Sequence, residues 1–177
     1  MSRRVRLVLL CEDVQQETFA RRFLKRAITQ VEILRVERAP GKGAAEQFVR
    51  ERFPPELRAH RSSRIPLVVL IDGDKRGVLH RLAALDQACR SADVPPRRDG
   101  DRVLIAVPTW NIETWLAYLN GAAVDEGKKD YPRLDRPRDC QRHVDCLYDM
   151  CRQRALRQPS PPSLDAACDE YRSRLKQ

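Results

Sequence analysis

Five apolar residues in unbroken succession, Leu67-Val-Val-Leu-Ile71, run from Pro66 into Asp72-Gly-Asp74, and this segment constrains the chain more than any other. A run with no polar interruption, bounded by a proline and a charged loop, predicts a strand buried on both faces, as in the middle of a parallel sheet. Side chains two apart on a strand point the same way, so Asp72 and Asp74 are expected to aim at one point beyond the strand's carboxyl end. Gly73 between them keeps the approach open and lets the chain turn. Neighbouring carboxylates repel unless something positive lies between them, and an all-oxygen ligand set suits Mg²⁺ or Mn²⁺. A divalent-metal site is the first expectation.

Strand and helix signals alternate around this segment. Val5 to Cys11 reads as a first strand, and Gln15 to Thr29 as a helix with Phe19, Phe23, Leu24 and Ile28 on one face. Val31 to Glu37 reads as a second strand, followed by the turn Pro40-Gly-Lys-Gly43. A charged helix covers Ala44 to Phe53, breaks at Pro54-Pro55 and resumes toward His60. Ile65 to Asp72 is the third strand, Arg76 to Ala92 a helix, Arg102 to Val107 the fourth strand, and a further helix opens near Asn111. This alternation predicts an α/β domain over residues 1–120, with a mainly parallel four-stranded sheet flanked by helices. Residues 121–177 are expected to form a loop and helical extension packed on that core. Its helices run over Arg138 to Leu156 and Ser163 to Leu175, with Ser163 as N-cap of the last.

The length of 177 residues suits one domain with a helical appendage. The formal charge is +9, and 28 of the 34 basic residues are arginine, the side chain suited to bidentate phosphate contacts. A nucleic-acid partner follows from that balance, although a coding bias toward arginine gives the same composition. No apolar run reaches the length of a membrane span, so no membrane partner is expected. The basic start Met1-Ser-Arg-Arg-Val-Arg-Leu7 leads into Glu12-Asp13 without a cleavage site, which reads as a first strand in a cytoplasmic protein rather than a signal peptide. The six cysteines include no C-x-x-C pair, and without an export signal no disulfide is expected. Cys140, His143, Cys146 and Cys151 crowd one segment and invite a zinc reading. Cys140, Val144, Leu147 and Cys151 also fall at helical spacing, where cysteine packs as a small hydrophobe, and that reading is preferred.

Sites in open parallel sheets gather beyond the carboxyl ends of the strands. Glu12 closes the first strand, Asp72 and Asp74 the third, and Glu113 lies just past the fourth. A glutamate ending strand one and a D-x-D ending strand three resemble the signature of the TOPRIM domain. The wider pattern of Cys11-Glu-Asp-Val-Gln-Gln-Glu-Thr-Phe19, Ile71-Asp-Gly-Asp74 and Val107-Pro-Thr-Trp-Asn-Ile-Glu-Thr-Trp115 is similar to small TOPRIM-like proteins of bacterial phage-defence loci, related to the overcoming-lysogenization-defect (OLD) nucleases. The resemblance covers residues 5 to about 120. It implies a Rossmann-like TOPRIM fold and a metal-dependent nuclease acting on DNA or RNA in anti-phage defence. Glu12 would act as general acid/base or metal ligand, Asp72 and Asp74 would hold Mg²⁺ or Mn²⁺, and Glu113 would be a further acidic ligand. Lys128 or Lys129 would supply a cation to the scissile phosphate. Many TOPRIM proteins carry glycine after the first glutamate; Asp13 stands there in this chain and offers another ligand.

Other readings are narrower. Glu113 also suits the first turn of a helix capped by Asn111, Glu17 a solvated face, Trp115 a core position, and Asp72-Gly-Asp74 a plain turn. Lys42 in Pro40-Gly-Lys-Gly43 can meet a phosphate, but no Walker loop is encoded. A haloacid-dehalogenase-type phosphatase needs its D-x-D on the first strand, and topoisomerase or primase activity needs further domains. The non-enzyme alternative is a TOPRIM binding or sensor subunit working with a partner ATPase of a defence system. A homo-oligomer is compatible with either.

Overall fold

The computed structural model describes residues 4–41 and 43–175. Four strands, β1 (Val5–Cys11), β2 (Val31–Arg38), β3 (Leu67–Leu70) and β4 (Val103–Ala106), form one sheet in the order β2-β1-β3-β4. Every pairing is parallel, so the sheet is wholly rather than mainly parallel. The six α-helices are α1 (Val14–Ala27), α2 (Ala45–Ser63), α3 (Gly77–Ser91), α4 (Ile112–Leu119), α5 (Gln141–Gln153) and α6 (Pro162–Arg174). The fold is a Rossmann-like α/β architecture.

Alternation along the strands splits the core in two. Leu7, Leu9, Val68, Leu70 and Leu104 face α1, α4, α5 and α6. Leu10, Leu67, Val69, Ile71 and Ile105 face α2 and α3. All four residues of β3 and all four of β4 are buried, as the unbroken apolar run requires of a strand covered on both sides. The C-terminal helices share the first of these cores. Phe23 of α1 stacks edge-on against Tyr171 of α6, with ring centroids 5.2 Å apart.

Three sequence expectations are corrected. The helix expected to break at Pro54-Pro55 is continuous through both prolines. Two backbone donors are lost there, yet Phe53, Pro54 and Leu57 are buried, and that packing holds the turn. Ser163 does not cap α6: the cap is Pro161, and the Ser163 hydroxyl is turned into the interior. A disulfide, not expected, joins Cys151 of α5 to Cys168 of α6, with Cα atoms 5.4 Å apart. Both cysteines lie on the apolar stripes by which their helices meet, so packing brings the sulfurs together. This pairing also removes Cys151 from any zinc set, and Cys140 is simply buried.

Candidate functional site

In the order β2-β1-β3-β4 the chain leaves β1 first toward one edge and later toward the other, so the topological switch point lies between β1 and β3. Crevices at such points, beyond the strands' carboxyl ends, are where open α/β sheets receive ligands. Glu12 directly follows β1 and Asp72 follows β3 by two residues.

Asp13 is the N-cap of α1, its Oδ1 accepting the Gln16 N–H at 2.8 Å. The spacing Asp13-x-x-Gln16 is that of a capping box, in which the fourth residue normally reaches back to the cap. Here it reaches one residue further. Gln16 Oε1 accepts the Glu12 N–H at 3.0 Å, and Gln16 Nε2 donates to Asp72 Oδ1 at 2.8 Å. A fully buried amide therefore clips the end of β1 to the end of β3. Glu12 Oε1 accepts the Asp72 N–H, closing the same junction from the other side. Burial pushes the Glu12 carboxyl well above the usual carboxylate range, with the charges of Asp13 and Asp74 adding to it and Arg81 opposing it. Asp72 is raised as well, first by burial and then by the charges of Glu12, Asp13 and Glu113.

Gly73 is closely packed. A Cβ there would stand 3.1 Å from the Gly77 Cα, the Pro108 carbonyl and a Val107 methyl. Its N–H donates to that carbonyl at 2.8 Å, tying the end of β3 to the segment after β4. The next residue, Asp74, is left-handed with φ 47° and exchanges two backbone hydrogen bonds with Trp110, which is left-handed at φ 62°. Left-handed backbone is tolerable for aspartate but costly for tryptophan, and such strain concentrates at functional sites. The consequence for Asp74 is that its carboxylate turns to Arg81, 2.9 Å away. Arg81 is buried, donates Nε–H to the Asp72 carbonyl at 2.8 Å, and also pairs with Glu46.

Glu113 is buried in the first turn of α4, and burial raises its carboxyl, with exposed Arg133 at 3.3 Å opposing. Asn111 occupies the N-cap position without using its side chain, and its Oδ1 is enclosed with no hydrogen-bond partner, as is Trp110 Nε1. Lys129 Nζ lies 6.0 Å from the centre of the Trp110 ring, whose backbone pairs with Asp74. Glu126 pins the loop bearing Lys129. Its carboxylate accepts from Thr109 Oγ1 at 3.1 Å and from the Ser163 N–H at 3.1 Å, while Trp115 Nε1 donates to Ser163 Oγ at 2.8 Å. Trp115 is thus a core residue with a satisfied donor. Lys42 lies outside the described residues.

Glu12 and Asp72 adjoin directly, Glu113 and Asp13 are near enough to raise Asp72, and Asp74 is drawn aside by Arg81. Among the described residues no three acidic, histidine or cysteine side chains close on a common point as they stand. Reading by residue type missed Gln16 and Arg81. Gln16 was visible in the capping-box spacing. Arg81 sits on the stripe Val78, Arg81, Leu85, Cys89, where a charge on an apolar face signals a buried partner. Glu17, read as solvated, is instead half-buried between Arg21 and Arg38, at 2.8 and 2.6 Å. No family model, curated protein or solved structure matches the chain.

Proposed function

We propose that the chain is a metal-dependent phosphodiesterase, a nuclease of TOPRIM type acting on DNA or RNA, with a place in anti-phage defence. The observation that carries this reading is the burial of Glu12 against Asp72 at the switch point, two carboxyls that burial and neighbouring carboxylate charge both raise. Mg²⁺ takes one or two carboxylates and completes its shell with water and substrate phosphate, so this pair is a sufficient protein ligand set. Glu113 and the unpartnered Asn111 Oδ1 offer further oxygens of the right kind. The bound ion would activate water and neutralise charge at the scissile phosphate. The protein's own contribution is positional. Gln16 fixes Asp72, Arg81 anchors the Asp72 carbonyl, and Lys129 beside the Trp110 ring would offer a cation to the phosphate.

The ion pair of Asp74 with Arg81 favours a second reading, a binding or sensor subunit whose acidic end is completed only by a partner ATPase. Metal-dependent cleavage of single-stranded DNA, duplex DNA and RNA by the purified chain separates the two. Cleavage should require Mg²⁺ or Mn²⁺ and fall at least 100-fold (about 3 kcal/mol) in Asp72→Asn. Mn²⁺ binding, read by electron paramagnetic resonance, should weaken in the same variant. In chelator, Glu12→Gln should raise the melting temperature by roughly 2–6 °C by removing one buried charge. Cleavage that survives Asp72→Asn would sink the nuclease reading. Metal binding without cleavage would favour the subunit.

A further inference from the structure

Because all four strands run the same way, the residues that precede them collect at the opposite end of the sheet from Glu12 and Asp72. Arg4 and Arg6 open β1, Arg64 lies in the turn before β3, and Arg102 immediately precedes β4. These four arginines line one hollow of about 490 Å³, and no acidic side chain lines it. A second hollow of about 270 Å³ adjoins it through the shared Arg64 and Arg102 and adds Arg98. Asp101 lines the second hollow but pairs with Arg61 at 2.7 Å, and nearby Asp99 and Glu32 pair with Arg174 and Arg4, each at 3.7 Å. Among the described residues Arg6, Arg64, Arg98 and Arg102 make no salt bridge.

Two details set this surface apart from scattered surface charge. Arg64 caps α2 in the left-handed conformation, φ 61°, where glycine is the unstrained choice. The chain keeps a cationic side chain at a position that costs backbone strain. Arg102, which both hollows share, has its Nε enclosed and without a partner, so no protein acceptor engages that edge of its guanidinium.

We propose that this arginine-lined cleft is a second anion site, independent of the acidic end, and that its ligand is a chain of two or more phosphoryl groups. The paired hollows suit a linear polyanion, and guanidinium forks suit phosphoryl oxygens. Among the described residues no Phe, Tyr or Trp lines either hollow, and the one ring present, His60, is 7 % exposed with its Nδ1 held at 2.7 Å from the Ile65 carbonyl, which disfavours a single strand held by base stacking. The cleft lies roughly 20 Å from Asp72, taking about six residues of extended chain from Pro66, so one phosphate group cannot serve both ends. An inorganic polyphosphate and the phosphate tail of a nucleotide share the required chemistry.

The test is calorimetric titration of the full chain, in chelator, with tripolyphosphate, ATP and orthophosphate. Tripolyphosphate should bind at one site at least tenfold more tightly than orthophosphate. Arg64→Gly and Arg6→Gln should each weaken it about tenfold, the expected loss for one charged hydrogen bond. Arg64→Gly also relieves the left-handed strain, so its melting temperature should not fall, which separates lost binding from lost folding. Asp72→Asn should leave the affinity unchanged. Equal binding of ATP assigns the site to the phosphate chain alone, and tighter ATP binding assigns it to a nucleotide. Wild-type affinity in both arginine variants would overturn the proposal, as would competition by a single-stranded oligonucleotide binding more tightly than either ligand.

Discussion

His143 lies on the inner face of α5 with its Nδ1 unpartnered, and burial, reinforced by Arg142, holds its imidazole below the ordinary value of 6.5. A lowered histidine contributes stability that is fully present above pH 6.5 and is lost as pH falls below it, because the unfolded chain takes the proton first. Thermal melts from pH 7.5 to 5 should therefore fall more steeply for the native chain than for His143→Gln, by a few degrees at the acid end. Equal slopes would show that the ring protonates freely in place. At this same scale Glu12, Asp72 and Glu113 were legible in the sequence, because residues after apolar runs in a parallel sheet must gather at one end. Gln16 and Arg81 were not read, because their roles depend on which strand ends adjoin, and that is fixed by strand order. Asp74 shows the limit of an i, i+2 argument. Side chains two apart share a face only while the chain stays extended, and the left-handed φ at Asp74 sends its carboxylate to Arg81.

At the scale of elements, β4 is an edge strand, and an unpaired edge is an invitation to further pairing. α6 blunts it. Glu170 accepts the Ile105 N–H at 3.0 Å and also pairs with Arg97, so one carboxylate satisfies an edge donor and anchors the loop entering β4. Glu170→Ala should cost about 2 kcal/mol, since both the donor and Arg97 lose their partner. Chemical denaturation measures that loss, and light scattering should show faster aggregation of the variant on heating. An unchanged midpoint would mean that water replaces the carboxylate. The apolar stripe of α6 (Leu164, Cys168, Tyr171) could be read from helical spacing, but half-buried Glu170 beside it is a single charge with no period of its own. α2 marks the converse failure. Pro54 and Pro55 are strong local breakers, and only the burial of Phe53 and Leu57 against β3 outweighs them.

For the whole molecule, the disulfide Cys151–Cys168 ties two helices of the extension across 17 residues. Closing a loop of that size stabilises by about 3 kcal/mol through the unfolded chain. Reductant should lower the melting temperature by roughly 6–12 °C, and Cys168→Ser should match the reduced protein. A melt indifferent to reductant would show that packing alone holds the two helices. The α/β alternation was plain in the sequence because periodicity is local. The disulfide was not, since the argument from compartment says nothing about which buried sulfurs meet. Parallel strands have one more consequence. Glu12 and Asp72 lie where strands end, and Arg4, Arg64 and Arg102 lie where strands begin, so the two ends of the sheet present different chemistry to a charged partner. A polyanion approaching the end where the strands begin meets arginines first, and added salt should screen that attraction.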